Sequence, residues 1–316
     1  MTAEGKLRFS IVTPSFNRAD MIGRALESVA AQRGPEGEPI EVEHIVVDGG
    51  SSDDTLSLLS AHPQLRVISE PDEGIYDALN KGIAMASGDV VALLNSDDWF
   101  EAGAFEAVAA VFAANPQAQL VSGKARFLRD AGQGRLLPVR FHRLQDETAM
   151  TPSNLAYASK INARFFRRGV FEAFGTFNYH DYPLTADLDF LLRLSLAQVP
   201  STGLDRYLYC YLAHEGSATI HGDLRRGLTT LYENLDLSEA LLSAPGLDRE
   251  TAAALRHWHG DASAKAAGIE LRYGALANSL AAARRGLRQS AGWPLAFAWA
   301  VLRGATRRGL RQLKGA

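Results

Sequence analysis

Four consecutive polar residues, Asn95-Ser96-Asp97-Asp98, follow the unbroken apolar run Val90-Val91-Ala92-Leu93-Leu94. Two adjacent carboxylates repel each other and lose solvation when crowded, so a positive group is expected between or beside them. Such oxygen ligands suit a hard divalent cation, Mg²⁺ or Mn²⁺, of the kind that bridges to phosphate oxygens. The plain alternative is a solvated loop that caps a helix starting near Glu101, since Asp is a favoured N-cap. A second acidic pair, Asp187 and Asp189, opens a later helical stretch, where the dipole favours the charge of Asp187. Two positions apart on a helix, their side chains project about 200° apart and cannot easily serve one site. Asp189 is placed to pair with Arg193 at i+4, and both acids could also do no more than cap the helix.

These residues need elements to hold them. Residues 90–94 read as a strand buried on both faces, as inside a parallel sheet. Open α/β sheets place their ligands at the C-terminal ends of such strands. Upstream, residues 8–13 read as a first strand stopped by Pro14. The helix that follows puts Ile22, Ala25, Leu26 and Val29 on one buried face. Residues 42–47 form a second strand running into Asp48-Gly49-Gly50-Ser51-Ser52-Asp53. Those small residues suit a tight turn in which Ser52 or Asp53 caps the next helix. Residues 65–69 make a third strand and residues 76–86 a helix. Strand and helix thus alternate four times in the first hundred residues, which implies βαβ units and a parallel sheet. The polar clusters at residues 13–18, 48–53, 70–72 and 95–98 then converge on one sheet edge around a nucleotide-sized site.

Beyond residue 101 the pattern changes. A helix is predicted over 101–114, a strand over 120–124 and a hairpin around Asp130-Ala131-Gly132-Gln133-Gly134. Residues 148–160 show no period and read as a loop. A strand and a short helix fall within 162–175. Leu188, Leu191, Leu192 and Ser195 share one side of the helix that Asp187 opens, and residues 207–212 are a last, aromatic-rich strand. From residue 223 the chain reads helical and rich in Ala and Leu. The expected organisation is one domain over 1–220, with a nucleotide-binding half at about 1–100 and an acceptor half at about 101–220. A helical extension over 221–316 follows.

Composition bounds the reading further. The 316 residues are 47% hydrophobic and 22% charged, ordinary for a globular chain. A net charge of -3 offers no general affinity for nucleic acid. Cys210 is the only cysteine, so no intrachain disulfide can form and a reducing compartment is allowed. The first residues lack the apolar core of a signal peptide. No apolar run approaches the ~20 residues that span a bilayer; the longest, 293–302, contains Pro294. The charge is uneven, because nine basic and no acidic residues follow Glu270. Residues 281–314 mix Leu287, Trp293, Phe297, Trp299, Leu302 and Leu310 with clustered arginines, as interfacial helices do. Two destinations fit this tail: the anionic cytoplasmic face of the cell membrane, or packing on the body or a partner chain.

Taken together, the motifs resemble those of the family 2 glycosyltransferases, inverting enzymes of the GT-A fold. The likeness rests on Ser10-Ile11-Val12-Thr13-Pro14-Ser15-Phe16-Asn17, Val46-Val47-Asp48-Gly49-Gly50-Ser51-Ser52-Asp53, Asn95-Ser96-Asp97-Asp98, Phe165-Phe166-Arg167-Arg168 and Ala186-Asp187-Leu188-Asp189. It covers about residues 8–215. The stretch Ser69-Glu70-Pro71-Asp72-Glu73-Gly74-Ile75-Tyr76-Asp77-Ala78-Leu79-Asn80-Lys81-Gly82 resembles a bacterial branch that builds cell-surface polysaccharides. The resemblance implies a nucleoside-diphosphate sugar donor, a UDP-sugar in many members, and a hydroxyl of a glycan or lipid-linked acceptor. It assigns Asp48 to a hydrogen bond with the base, Thr13, Pro14 and Phe16 to the base pocket, and Asp72 to the donor. Asp97 would approach the ribose, Asp98 would coordinate Mn²⁺ or Mg²⁺, and Asp187 would be the general base.

The chain departs from the family in two places. Ile161-Asn162 stands where many members carry His-Gln, and Ala186-Asp187 where many carry Glu-Asp. His214 and His221 are open to two readings, a late histidine at the metal as in some GT-A enzymes, or a histidine at the surface or core edge. Arg167 and Arg168 either hold phosphate or solvate a turn. Rival classes are a nucleotide-sugar pyrophosphorylase, a dinucleotide dehydrogenase and a non-catalytic binding module on the same fold. The first needs a Gly-rich, Arg-containing N-terminal loop and the second Gly-x-Gly-x-x-Gly after the first strand; Thr13-Pro14-Ser15-Phe16 is neither. Asp97, Asp98 and Asp187 argue against the third.

Overall fold

Phe9, Ile11, Val12 and Thr13 have no exposed surface, and they belong to the first strand, β1 (Phe9–Ser15). In a computed structural model describing residues 7–132, 134–139, 148–156, 160–214, 226–289 and 293–294, β1 lies between two parallel neighbours. These are β2 (Val42–Asp48) and β4 (Val90–Leu93), and β3 (Arg66–Ser69) extends the parallel set beyond β2. The helices α1 (Ile22–Ala30), α2 (Thr55–Ser60) and α3 (Ile75–Met85) make the return connections. Val90, Val91, Ala92, Leu93 and Leu94 are all fully buried, as an apolar run inside a parallel sheet requires.

Pro14 does not stop β1, contrary to the sequence reading; it sits in register with Val47 inside the strand. Its missing N–H costs nothing there. Phe9 and Ser15 bond toward β2, whereas the Val12 carbonyl accepts from Leu94 on the β4 side. By alternation the absent donor of Pro14 faces the β4 side, where pairing has ended at Val12 and Leu93.

The remaining five strands mix directions, three running against the parallel set and two with it. A two-residue strand, β5 (Trp99–Phe100), precedes α4 (Ala104–Ala114), where the sequence reading has one helix from 101. Then follow β6 (Leu120–Asp130), β7 (Leu136–Pro138), α5 (Pro152–Leu155), β8 (Arg164–Arg167), α6 (Gly169–Phe174), α7 (Ala186–Leu196) and β9 (Ser201–Ala213). The sheet order is β3-β2-β1-β4-β8-β6-β9-β5, with β7 on β6. Residues 125–129, which β6 adds to its predicted strand, pair in parallel with 209–213 of β9, and residues 201–203, which β9 adds, pair with 120–122 of β6, across register shifts at Lys124. An aromatic knot under the sheet joins distant segments: Phe9 stacks on Phe105 at 4.9 Å, and Phe100 meets Phe105, Phe165 and Tyr209 at 5.0, 5.6 and 5.5 Å. On α3, a methyl group at Gly82 would lie 2.3 Å from Val12 Cγ1, so only glycine lets this helix sit so close to β1.

These elements form one compact unit, Met1–Ile220, and His221–Ala316 form a second. In the second unit α8 (Arg226–Leu242), α9 (Arg249–Arg272) and α10 (Leu276–Gln289) pack through small residues, among them Ala264, Ala266, Ala267 and Ala282. Asp248 caps α9 through the Thr251 N–H at 2.9 Å. Trp293 lies against Gly286, where no Cβ would fit, and donates to Ser263 at 2.9 Å. Tyr273, Leu276, Leu280 and Leu287 are 42 to 59% exposed. Among the described residues no helix is long and apolar enough to cross a membrane. Most of the basic tail, including residues 295–316, lies outside the described residues.

Candidate active site

The C-terminal ends of β1, β2 and β4 open on the same sheet edge, and their loops carry most of the residues singled out from sequence. At the end of β2, Asp48 is fully buried and its carboxylate is taken up by the chain itself. Oδ2 accepts from Gly50 N at 3.1 Å, Ser51 N at 2.8 Å and Ser69 Oγ at 2.8 Å, and Oδ1 accepts from Ser51 Oγ. Asp48 therefore fixes the shape of the turn that ends β2. Thr13 is likewise buried, with Oγ1 2.9 Å from His44 Nε2; burial holds that imidazole down at about 3. Pro14 is buried in the strand, while Phe16, just past its end, exposes 57% of its surface. The Ser15 hydroxyl is buried there without a hydrogen-bond partner.

Asp72 arrives from the loop after β3. A Cβ at Gly49 would stand 2.5 Å from Asp72 Oδ2, so this carboxylate occupies the place a side chain at position 49 would take. Its other oxygen accepts from Gly74 N at 2.9 Å, which fixes the turn into α3.

The loop after β4 divides the acidic pair between two tasks. Asp98 is 2% exposed. Its Oδ2 accepts from Asn95 Nδ2 and from the Tyr209 hydroxyl, both at 2.9 Å, and its Oδ1 accepts from Leu212 N at 2.8 Å. Burial, with the adjacent Asp97 charge adding to it, pushes the Asp98 carboxyl up to about 8 against the pull of those donors. The Tyr209 hydroxyl in turn accepts from Asn95 N at 3.0 Å and Asn162 Nδ2 at 3.1 Å. Asn162, 3% exposed, is thus a core member of the same network. Asp97 points elsewhere: its Oδ2 lies 2.9 Å from His214 Nε2 just after β9, and both side chains keep 18% exposure. His221 lies outside the described residues.

Asp187, in the first turn of α7, is half-buried and accepts from the Tyr76 hydroxyl at 2.9 Å. Buried Arg164 of β8 stands close enough for its charge to be felt. Asp189 turns away from it, is 6% exposed and accepts from Arg193 Nε at 3.0 Å, the i+4 pair read from the sequence. Arg193 also donates to the Phe174 and Thr176 carbonyls, locking α7 to the segment before it. Arg167 lies over the Phe112 ring at 4.4 Å and Arg168 pairs with Glu172, so both have partners within the fold. Tyr211 completes the set. Burial raises its phenol far above the ordinary range, and the charges of both Asp98 and Asp187 add to the effect.

The site therefore runs from Asp48, Gly49 and Asp72 at one end, through Tyr76, Asp187 and Tyr211, to Asp98, Asp97 and His214. Tyr209, Tyr211, Asn162 and Arg164 were not among the residues predicted from sequence. The period-2 spacing of Tyr207, Tyr209 and Tyr211 is the signal that two of them share a face.

The sequence pattern of "Glycosyl transferase family 2" matches residues 10–174. An uncharacterized glycosyltransferase of Mycobacterium tuberculosis is 33% identical over 228 residues, covering 69% of this chain and 81% of that protein. A PGL/p-HBAD biosynthesis glycosyltransferase of Mycobacterium bovis is 31% identical over 195 residues, covering 58% and 68%. Among solved structures, a fragment of S. aureus TarS with UDP-GlcNAc superposes with a TM-score of 0.63 at 17% identity, covering 96% of this chain and 92% of the fragment. The match spans 43% of a longer TarS chain. A mannosyltransferase of Pyrobaculum calidifontis with GDP-Man and Mn2+ gives 0.59 at 17% identity, covering 95% and 80%. These two share the fold, a central sheet flanked by helices as in GT-A glycosyltransferases. By family pattern and by identity to its relatives, the chain belongs to glycosyl transferase family 2.

Proposed function

We propose that the chain is a metal-dependent, inverting glycosyltransferase that moves a hexose from a nucleoside diphosphate, UDP in the first instance, to a hydroxyl of a glycan or lipid-linked acceptor. The observation that carries this reading is the convergence on one sheet edge of Asp72 and Asp97, from the loops after β3 and β4, with Asp187 from the first turn of α7. Phe16 offers an exposed ring to the base, and the unpartnered Ser15 hydroxyl lies at the same strand end. With Asp48 committed to its own turn, the carboxylate available to the donor's base is that of Asp72, beside Gly49.

The metal role moves within the acidic pair. Sequence resemblance assigns it to Asp98, but three donors of the fold already claim that carboxylate. Asp97 and His214 together present an oxygen and a nitrogen donor at the rim. Among the described residues no group of three or more His, Cys, Asp or Glu side chains is placed to hold a metal. Two ligands suffice if the diphosphate supplies the others, and an imidazole favours Mn²⁺ over Mg²⁺. When bound, the cation would neutralise charge on the departing diphosphate. Asp187 accepts the proton of the acceptor hydroxyl as its oxygen attacks the anomeric carbon. The bond to the diphosphate breaks on the opposite face, so the configuration inverts.

The relatives' names, which speak of PGL/p-HBAD biosynthesis and of UDP-GlcNAc and GDP-Man complexes, support a glycan or glycolipid product and a nucleotide-sugar donor. The α10 face, with Leu276, Leu280 and Leu287 exposed and arginines beside it, supports peripheral attachment to the anionic cytoplasmic face of the membrane, where a lipid-linked acceptor is presented. Calorimetry with UDP and GDP, with and without Mn²⁺, tests the donor reading. Metal-dependent binding of one nucleotide and slow hydrolysis of its sugar ester are expected, and absence of binding by either would overturn it.

A further inference from the structure

Tyr76 is the second residue of α3, more than a hundred positions before the α7 carboxylate it touches. Its hydroxyl lies 2.9 Å from Asp187 Oδ1 and 3.5 Å from the Leu184 carbonyl. Its ring packs on Phe177 at 5.3 Å, and Phe177 packs on Phe190 of α7 at 5.4 Å. The neighbouring side chains of α3 hold the same segment. Asn80 donates to the Phe177 carbonyl at 2.9 Å and accepts from the Phe177 N–H at 3.0 Å. Asp77 accepts from the Tyr179 hydroxyl at 3.1 Å and from Glu73 N at 3.0 Å, and pairs with Lys81. One end of α3 thus clamps the chain that leads into α7 and at the same time reaches the carboxylate at its head.

We propose that Tyr76 is a positioning residue for Asp187: its hydroxyl holds one carboxylate oxygen, sets the plane of the group and keeps it ionised to receive the acceptor's proton. This rests on Asp187 as the base. A bound oxygen fixes rotation about Cβ–Cγ and so the direction in which the second oxygen faces. A neutral donor to a carboxylate favours its charged form. The other charged or titratable groups facing Asp187 act on the same equilibrium. Arg164 from β8 favours the anion, and Asp189 on the same helix is turned toward Arg193. Tyr211 from β9 stays protonated, since its phenol is raised by burial and by both acids. Tyr76 is a neutral donor placed directly on the carboxylate.

The test uses the full chain labelled with ¹³Cγ-Asp, with the Asp187 resonance identified by its loss in Asp187→Asn. Tyr76→Phe keeps the ring against Phe177 and removes only the hydroxyl. The Asp187 titration is expected to move up by about one pH unit in Tyr76→Phe, the size of one charge-assisted hydrogen bond. With UDP-GlcNAc or GDP-mannose, whichever the enzyme hydrolyses, the acidic limb of the rate profile should move up with it, and adding Tyr76→Phe to Asp187→Asn should cost no further rate. An unmoved titration, or a limb that stays put while Asp187→Asn loses its activity, overturns the positioning role. Full hydrolysis by Asp187→Asn instead overturns Asp187 as the base, and the inference falls with it.

Discussion

At the scale of single residues, Asp97 and Asp98 are adjacent in sequence and opposite in environment. Truncating Asp98 would leave Tyr209 Oη, Asn95 Nδ2 and Leu212 N without their acceptor in a buried site. Asp98→Ala is therefore expected to lower stability by about 3 kcal/mol, read by urea unfolding, since each stranded donor costs on the order of 1–3 kcal/mol and relief of the carboxyl's desolvation offsets part of the loss. Asp97→Ala should melt like the parent and lose Mn²⁺-dependent nucleotide affinity. The reverse pattern, a stable Asp98→Ala blind to Mn²⁺ beside a fully responsive Asp97→Ala, would return the metal to Asp98. An acidic pair at a strand end is legible in sequence, but which member is claimed by the fold is not. The claimants Tyr209 and Leu212 come from a strand more than a hundred residues later.

His44 gives a second consequence at this scale. Burial lowers its imidazole to about 3 from an ordinary 6.5, so the unfolded chain binds its proton first as the pH falls. Stability from a neutral His44 is complete above 6.5 and is lost at about 1.4 kcal/mol per pH unit below it. His44→Gln, which can still bond to Thr13 Oγ1, should flatten the dependence of the urea midpoint on pH between 6.5 and 4. An unchanged slope would place the acid sensitivity elsewhere.

At the scale of elements, the local signals were strongest where a segment's own pattern decides its fate. Ile22, Ala25, Leu26 and Val29 are the buried face of α1, and the parallel β3-β2-β1-β4 set follows from the alternation of strand and helix. The second half was less legible because its strands are defined by pairing. Trp99 and Phe100 form β5 only by bonding to Cys210 and Tyr209, and the extra length of β6 and β9 exists because each borders the other. The close seat of α3 shows how an element carries a site. Gly82→Ala would put a methyl group 2.3 Å from Val12 Cγ1 and 3.2 Å from Val47 Cγ2. Overpacking of about 1–3 kcal/mol should outweigh the ~1 kcal/mol gain in helix propensity. Because the helix must also shift, donor hydrolysis should fall with stability, and restoration of full activity in a destabilised Gly82→Ala would separate the two. Gly268 in α9 has no atom near its missing Cβ, so Gly268→Ala should gain up to about 1 kcal/mol without touching activity.

For the whole molecule, the second unit raises the question of what α10 faces. At 3.6 residues per turn, Leu276, Leu280 and Leu287 fall within about 40° of one another around its axis, with Arg284 and Arg288 to one side. All five are exposed, while the opposite face buries Ser279, Ala282 and Gly286. An acidic helical partner would pair its charges one by one with these arginines, whereas a lipid surface takes leucines and arginines together and requires anionic headgroups. Each arginine near such a surface contributes about 1 kcal/mol before screening. Flotation of the full chain with vesicles of phosphatidylglycerol and phosphatidylcholine should recover it in the lipid fraction, and phosphatidylcholine alone should not. Arg284→Gln with Arg288→Gln should lower the partition about tenfold or more, and Leu280→Ser should weaken it at unchanged charge. None of these side chains is needed to build the helix bundle, so melting should hold. If the arginine variant floats as well as the parent, the α10 face is not the lipid-binding surface.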